Sequence, residues 1–444
     1  MNEKTPQESI IEALDTENFE QARDLLAALH PSEIADLLES RPPRAREVLW
    51  NLVGTELEGD VLSHTQDAVR ADLLEQMHPG EVAAATKGLE IDDAADILQD
   101  LPEDLVDSVL SSMDAQNRER VASILSYPED TAGGLMNIDV VLVRADVTLD
   151  VVSRYLRQLG GIPEQTDNLM VVDRQNRYMG VLSLANVLTK KPTTSVGEAM
   201  TEDAGIPADT PALDVARLFE QRDLFSAAVV DADGKLLGRI TVDDIVDVIQ
   251  DEAGHTVLSM AGLGDEDIFA PVFSSAKRRA VWLGINLGTA FLASWVIGRF
   301  EDTIQQLVAL AVLMPIVASM GGIAGSQTLT IAIRGLALGQ ISKGNVRSLM
   351  LKEFAVGLFN GLLWAGVVAV IAAVWFKDIS LGMIIGLAMV INLLIAAIAG
   401  ALIPVTLKRM GVDPALAGGV LLTTLTDVIG FMTFLGLATL FLVP

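Results

Sequence analysis

The sequence predicts a multidomain chain: an all-α superhelical N-terminal domain, an α/β tandem domain pair, and an α-helical membrane domain with five transmembrane helices. Three observations predict it. Charge is segregated, because the residues after 275 include 6 acids and 11 bases, leaving 53 acids against 20 bases in the first 275 residues. Five apolar runs follow Lys277-Arg278-Arg279, each near the roughly 20 residues that a helix needs to cross a bilayer. Two kinds of internal repeat fill the acidic half.

The N-terminal domain, residues 1–130, rests on a recurring helix start. HPSEIADLL from His30, HPGEVAAAT from His78, LPEDLVDSV from Leu101 and IDDAADIL from Ile91 share acids in the first turn and apolar residues at helical spacing, and all but the last carry a proline there. Proline and acids suit a helix N-terminus, and repeated short helices imply a small superhelix of stacked pairs. His30 and His78 precede prolines and read as turn residues rather than metal ligands.

The second repeat sets the domain pair at 131–198 and 199–252. VLVRADVTLDVVSRYL with DNLMVVDRQNRYMGVLSLANVL is echoed by AGIPADTPALDVARLF with FSAAVVDADGKLLGRITVDDIVDVI; Val172, Asp173 and Gly180 recur 58 positions later as Val230, Asp231 and Gly238. Each copy reads as helix, buried strand, D-x-x-G-type turn, strand, helix. This resembles a tandem pair of CBS domains. The resemblance implies that the closing motif G-h-h-[ST]-x-x-D can hold an adenosine ribose. GRITVDD keeps it with Thr241 and Asp244, whereas the first copy has Asn186 at the acidic position, so an adenine nucleotide such as ATP is expected in the second half-site; capping of the next helix is the alternative role for Thr241 and Asp244.

Asp243, Asp244, Asp247, Asp251 and Glu252 then crowd the helix leading towards the membrane, with a connecting, plug-like helix placed at 253–275. Like charges one turn apart destabilise a helix. The net charge of −33 in this half repels nucleic acid and attracts multivalent cations. These acids, with Asp92, Asp93 and Asp96, are therefore expected to share cations. Zero cysteines remove disulfide and thiolate-metal readings. The opening Met1-Asn2-Glu3-Lys4 shows no apolar leader, so the acidic half is expected in the cytoplasm.

The membrane domain, 276–444, carries spans expected at Ala280–Ile297, Ile304–Ile323, Phe354–Phe376, Leu381–Leu402 and Ala415–Val443. Basic residues favour the cytoplasmic side of short loops. Simple alternation puts Arg334, Lys343, Arg347, Lys352, Lys408 and Arg409 with Lys277–Arg279 on one side and only Arg299 and Lys377 on the other, giving an inside N-terminus and an outside C-terminus in the cytoplasmic (inner) membrane. The second span runs from Pro315 into the Gly-rich SMGGIAGSQTLT, with Gly321, Gly322 and Gln327 as candidate pore lining. The fifth carries Thr423, Thr424, Thr426 and Asp427. Asp427 is the only ionisable residue deep in any of these runs, and Asp413 stands where the last one begins. A charge there costs at least a few kcal/mol unless it meets water, a cation or a donor. Carboxylate and hydroxyls without histidine or cysteine select a hard cation such as magnesium. A proton path and a protonated Asp427 binding two helices together are the other readings; an aspartyl protease would need a second deep carboxylate.

The order of these parts, with YPEDTAGGLM from Tyr127, MGGIAGSQ from Met320, RGLALGQIS from Arg334, DPALAGG from Asp413 and TTLTDVIGF from Thr423, resembles the MgtE family of magnesium channels over essentially the full length. The resemblance implies a homodimer in the lipid bilayer with a pore on its two-fold axis, and hydrated Mg2+ at Asp427. It also implies regulation, in which cytosolic Mg2+ bridging the acidic domains holds the pore shut. The chain departs from the family at Ile323, where Asn is usual, at Ser326-Gln327, and at Gly418-Gly419-Val420, where a proline-containing triplet is usual. The expectation is a Mg2+-gated magnesium channel or transporter and not an enzyme. A divalent-cation exporter coupled to protons or sodium and a membrane-bound CBS nucleotide sensor are the alternatives.

Overall fold

The computed structural model describes residues 5–442, other than 164, 265–267 and 343. The fold divides into two compact units, one ending its main run at Ala253 and the other starting at Gly254.

Ten short helices between Pro6 and Ile124 build the N-terminal part around one apolar core. The repeated start motif acts as expected. His30 and His78 are N-caps before Pro31 and Pro79, and Glu33 and Glu81 reach back to accept from their backbone N–H groups at 2.9 and 2.8 Å. Such reciprocal caps satisfy donors that a helix start leaves orphaned. Two buried arginines tie successive helices together. Arg46 donates to the carbonyls of Leu38 and Arg41 and pairs with Asp72 at 3.2 Å. Arg70 donates to the Thr65 carbonyl and pairs with Asp67 at 2.8 Å and Asp100 at 2.5 Å.

The α/β pair has two sheets. The first has the order β1 (Leu142–Arg144), β2 (Asn168–Val172), β3 (Tyr178–Ser183), β4 (Thr201–Glu202), and the second β5 (Ile206–Pro207), β6 (Ser226–Val230), β7 (Leu236–Thr241). In each, a parallel pair is followed by an antiparallel hairpin, with a bulge before Val172 and before Val230. The duplicated aspartates close the hairpins. Asp173 accepts from the N–H groups of Gln175 and Arg177 at 2.7 and 2.8 Å, and Asp231 from Asp233 and Lys235 at 2.9 and 2.8 Å. Asn176 and Gly234 supply the left-handed residue. The duplicated glycines allow close backbone approach, since a Cβ at Gly180 would strike the Thr201 carbonyl and one at Gly238 would lie 2.6 Å from the Asn137 carbonyl.

These approaches mean that chain segments are exchanged across the expected boundaries. β4 falls after residue 198 yet completes the first sheet. The segment from Ala132 to Asn137 belongs with the second: Ala132 N–H donates to Thr210, Gly133 N–H to Ala208 and Asn137 N–H to Arg239, and Ala132 and Met136 enter the second core. The connecting helix also differs from the expected 253–275. It runs Val242–Met260 directly from β7, because the strand ends at Thr241, whose backbone N–H and hydroxyl both donate to the Asp244 carboxylate at the helix start.

The five long apolar helices run Val272–Gly298, Ala309–Ala337, Val346–Phe376, Ile379–Arg409 and Pro414–Phe441. The second starts later than Ile304, because Glu301–Gln306 forms a separate short helix. The third starts eight residues before Phe354. The fourth span is the central one, packed on the second, third and fifth, whereas the first packs chiefly on the fifth.

Arg46 is 1% exposed, so its removal strands the Leu38 and Arg41 carbonyls. Arg46→Ala should cost about 3 kcal/mol locally, seen as a roughly hundredfold loss of amide exchange protection over residues 34–50 of the full-length protein; unchanged protection there would refute the tie.

Candidate functional site

One face of the second span, Ser319, Gly322, Ile323, Ser326, Gln327, Thr330 and Ile331, lines an open groove of about 780 Å3. Spacings of three, four, seven and eight place these residues on one stripe of a helix. The adjoining stripe, Gly321, Gly325, Thr328, Leu329 and Ala332, is buried among the other spans. Of the expected lining residues, Gly322 and Gln327 lie in the groove. Gly321 turns away from it and packs against Asn392.

The fifth span presents Asp427 half-buried, and among the described residues no donor or cation of the protein meets its carboxylate. The neighbouring threonines satisfy their own hydroxyl protons on the same helix. Thr423 donates to Gly419 O at 3.0 Å, Thr424 to Val420 O at 2.6 Å, and Thr426 to Thr423 O at 3.1 Å. Their remaining oxygen lone pairs face outward as acceptors where the side chain is open. Thr423 is exposed and Thr424 half-buried, but Thr426 is fully buried and faces the bundle. Asp413 caps the fifth span instead of standing free, accepting from Ala415 N at 2.9 Å and Leu416 N at 3.2 Å.

Asp427 is not the only carboxylate within the spans. The earlier start of the third helix brings in Glu353, 3% exposed, whose Oε2 accepts from Thr328 Oγ1 at 3.0 Å, with Lys352 Nζ 3.1 Å from Oε1. Lys352-Glu353 reads as a polar flank in the sequence, and only the continuation of helical periodicity to Val346 signals otherwise.

In the acidic unit, Asp92, Asp93 and Asp96 on the Ile91–Gln99 helix lie within electrostatic reach of Asp243 and Asp244 at the head of the connecting helix. Burial, then the Asp244 charge, pushes Asp92 well above the usual carboxylate range. Burial raises Asp93 to about 6, aided by Glu90 and Asp243 and opposed by His64. Asp96 rises to about 8 through burial, against the pull of Arg70. Asp244 rises to about 7 through burial and Asp243, although the Thr241 donors oppose it, and burial followed by Asp243 raises Asp247. Asp251 and Glu252 lie farther along the same helix, exposed and half-buried. Among the described residues no three carboxylates or imidazoles converge into a closed metal shell. The acids are thus within electrostatic reach of one another without forming an inner-sphere cage.

A second cavity, about 540 Å3, is lined by Ile162, Pro163, Gln165, Thr166, Asp167, Phe225 and Val242. Thr241 and Asp244 flank Val242 rather than forming its wall. Thr241 Oγ1 lies 3.1 Å from Asp244 Oδ2 and also bonds Asp243, so the expected ribose-binding pair is engaged in capping.

Family models match three parts of the chain. Residues 314–437 fit the divalent cation transporter model MgtE, 29–130 the MgtE intracellular N domain, and 132–192 and 196–251 the CBS domain. The magnesium transporter MgtE of Thermus thermophilus is 32% identical over 444 aligned residues, covering 98% of each chain. That of Bacillus subtilis is 29% identical over 95% of this chain and 94% of its own. Among solved structures, the cytosolic domain of the Mg2+ channel MgtE in complex with ATP aligns with a TM-score of 0.50 and 33% identity, over 55% of this chain and 99% of that one.

The raised carboxyls bind more protons folded than unfolded between the unfolded value of 3.8 and about 8, so in metal-free buffer the acidic unit should lose stability as pH rises through that window. Millimolar Mg2+ should restore melting temperature more at pH 8 than at pH 5; equal Mg2+ stabilisation at both would contradict the cluster. In the membrane unit, Glu353→Ala should destabilise the detergent-solubilised protein by about 2 kcal/mol. Glu353→Gln, which keeps an acceptor for Thr328, should lose less than half of that.

Proposed function

Because the chain belongs to the MgtE family of divalent cation transporters, we propose that it conducts Mg2+ through the cytoplasmic membrane as a homodimer, gated by Mg2+ binding to its cytoplasmic acids. The observation that carries this is Asp427, a half-buried carboxylate in a membrane span that meets no protein donor among the described residues. Isolated charge in apolar surroundings is expensive, so the site calls for water and a cation. One carboxylate about 5 Å from a hydrated dication is worth about 7 kcal/mol of attraction at an effective dielectric near 20, before the cost of removing water. Magnesium sheds its shell reluctantly, which suits a wide groove with hydroxyl and amide acceptors, such as Thr423, Thr424 and Gln327, better than a closed cage. The symmetry mate would supply a second Asp427 and a second groove face.

Gating follows from the acidic unit. Asp92, Asp96, Asp243, Asp247, Asp251 and Glu252 crowd two helices without a closed shell, which favours hydrated ions shared between carboxylates. At low cytosolic Mg2+ the acids repel, and at high Mg2+ they are neutralised and drawn together. The connecting helix, Val242–Met260, bears four of those acids and precedes the first span in the chain. An adenine nucleotide, as in the solved relative, would occupy the cavity beside Val242 after Thr241 and Asp244 exchange their capping contacts for the ribose. The basic residues at the span ends support an inside N-terminus and an outside C-terminus.

The test is Mg2+ flux into proteoliposomes with Mg2+ varied on the cytoplasmic-domain side. Wild type should be throttled by millimolar Mg2+ there. Asp427→Asn should cut flux at least tenfold and lose preference for dications over Na+. Equal flux in both proteins would reject the assignment of Asp427, and flux indifferent to cytoplasmic Mg2+ would reject the gate.

A further inference from the structure

The fourth span holds one fully buried amide, Asn392. Its Nδ2 donates to the carbonyl of Val317 on the second span at 2.9 Å, and its Oδ1 is buried with no hydrogen-bond partner. Two glycines on two other helices make room for it. A Cβ at Gly321 of the second span would collide with the Asn392 amide nitrogen. A Cβ at Gly430 of the fifth would lie 2.9 Å from that nitrogen, 3.2 Å from Cγ and 3.3 Å from Oδ1. The carboxamide therefore occupies the space of two missing side chains.

Other glycine contacts within this bundle are apolar or backbone in character. Gly325 receives Leu422, Gly357 receives Ala397, and Gly382 meets the Ala369 carbonyl. Leucine shares asparagine's branched skeleton, though its methyl groups take more room, and it would occupy the site without burying an orphaned acceptor, which costs free energy in an apolar interior. What an amide adds is direction. Its bond to Val317 O ties the fourth span to the second two residues beyond Pro315, whose missing N–H already loosens the helical ladder of that span on the Ala311 side. Gly321 adjoins the groove residue Gly322, and Gly430 lies one turn beyond Asp427.

We propose that Asn392 is a positioning residue for transport: wedged between Gly321 and Gly430, its amide fixes the rotation of the second and fifth spans so that the groove face and Asp427 line one path. This rests on the reading of that groove as the ion path.

The experiment compares full-length wild type, Asn392→Leu, Gly430→Ala and the double variant Asn392→Ala/Gly430→Ala. Each is measured for melting temperature in detergent and, in proteoliposomes, for half-saturating Mg2+, maximal flux and Mg2+ over Ca2+ preference. Gly430→Ala should melt several degrees lower, and the double variant should regain most of that loss because the smaller side chain admits the new methyl. Asn392→Leu, whose bulkier methyl groups cost some melting temperature, should in addition raise half-saturating Mg2+ or lose Mg2+ over Ca2+ preference at least tenfold, far more than Gly430→Ala does at a similar loss of melting temperature. Wild-type half-saturation and preference in Asn392→Leu would overturn the positioning role, as would a Gly430→Ala protein that melts like wild type. Absence of flux in wild type would instead overturn the transport reading.

Discussion

The cost of a carboxylate removed from water governs this protein. Burial without compensation forces a carboxyl to protonate, to find donors or to recruit a cation, and the chain uses each solution in a different place. Asp100 meets the buried Arg70. Asp173, Asp231, Asp378 and Asp413 accept backbone N–H groups at turns and helix starts. Glu353 meets a threonine hydroxyl and a lysine. What remains is the set without sufficient donors: the facing acids of the Ile91–Gln99 and connecting helices, and Asp427. The functional reading concentrates where protein donors run out.

The two units handle that cost in different solvents. In the acidic unit the clustered carboxyls are themselves largely buried, and burial raises them towards the protonated form. Within the spans water is scarce, and a carboxylate without donors is costly there. Glu353 and Asp427 show the contrast. The former is 3% exposed and bonded on the buried side of the second span, and the latter is half-buried with no donor among the described residues.

Close helix packing in lipid depends on small residues rather than on hydrophobic drive. Gly325 accepts Leu422, Gly357 accepts Ala397, and the Gly321–Asn392–Gly430 junction inserts a directional group among these smooth contacts. The short helix Glu301–Gln306 is tied to the fifth span by Thr303 and Thr439 at 2.8 Å.

Local chemistry made much of this legible in the sequence: the helix-start repeat with His30 and His78 as caps, the two Asp-closed hairpins, the five apolar spans and Asp427. Those features depend on residues a few positions apart, whose hydrogen bonds and periodicity are written along the chain. What only the tertiary structure decided depends on partners far apart in sequence. The exchange of β4 and of the Ala132–Asn137 segment between the two sheets follows from backbone approach at Gly180 and Gly238. The choice of Gly322 over Gly321 for the groove follows from helix rotation, and the burial of Glu353 from the packing of Thr328 across two spans. A sequence records which side chains are available on each face of an element, but which face meets which neighbour is set by the mutual fit of whole helices and sheets.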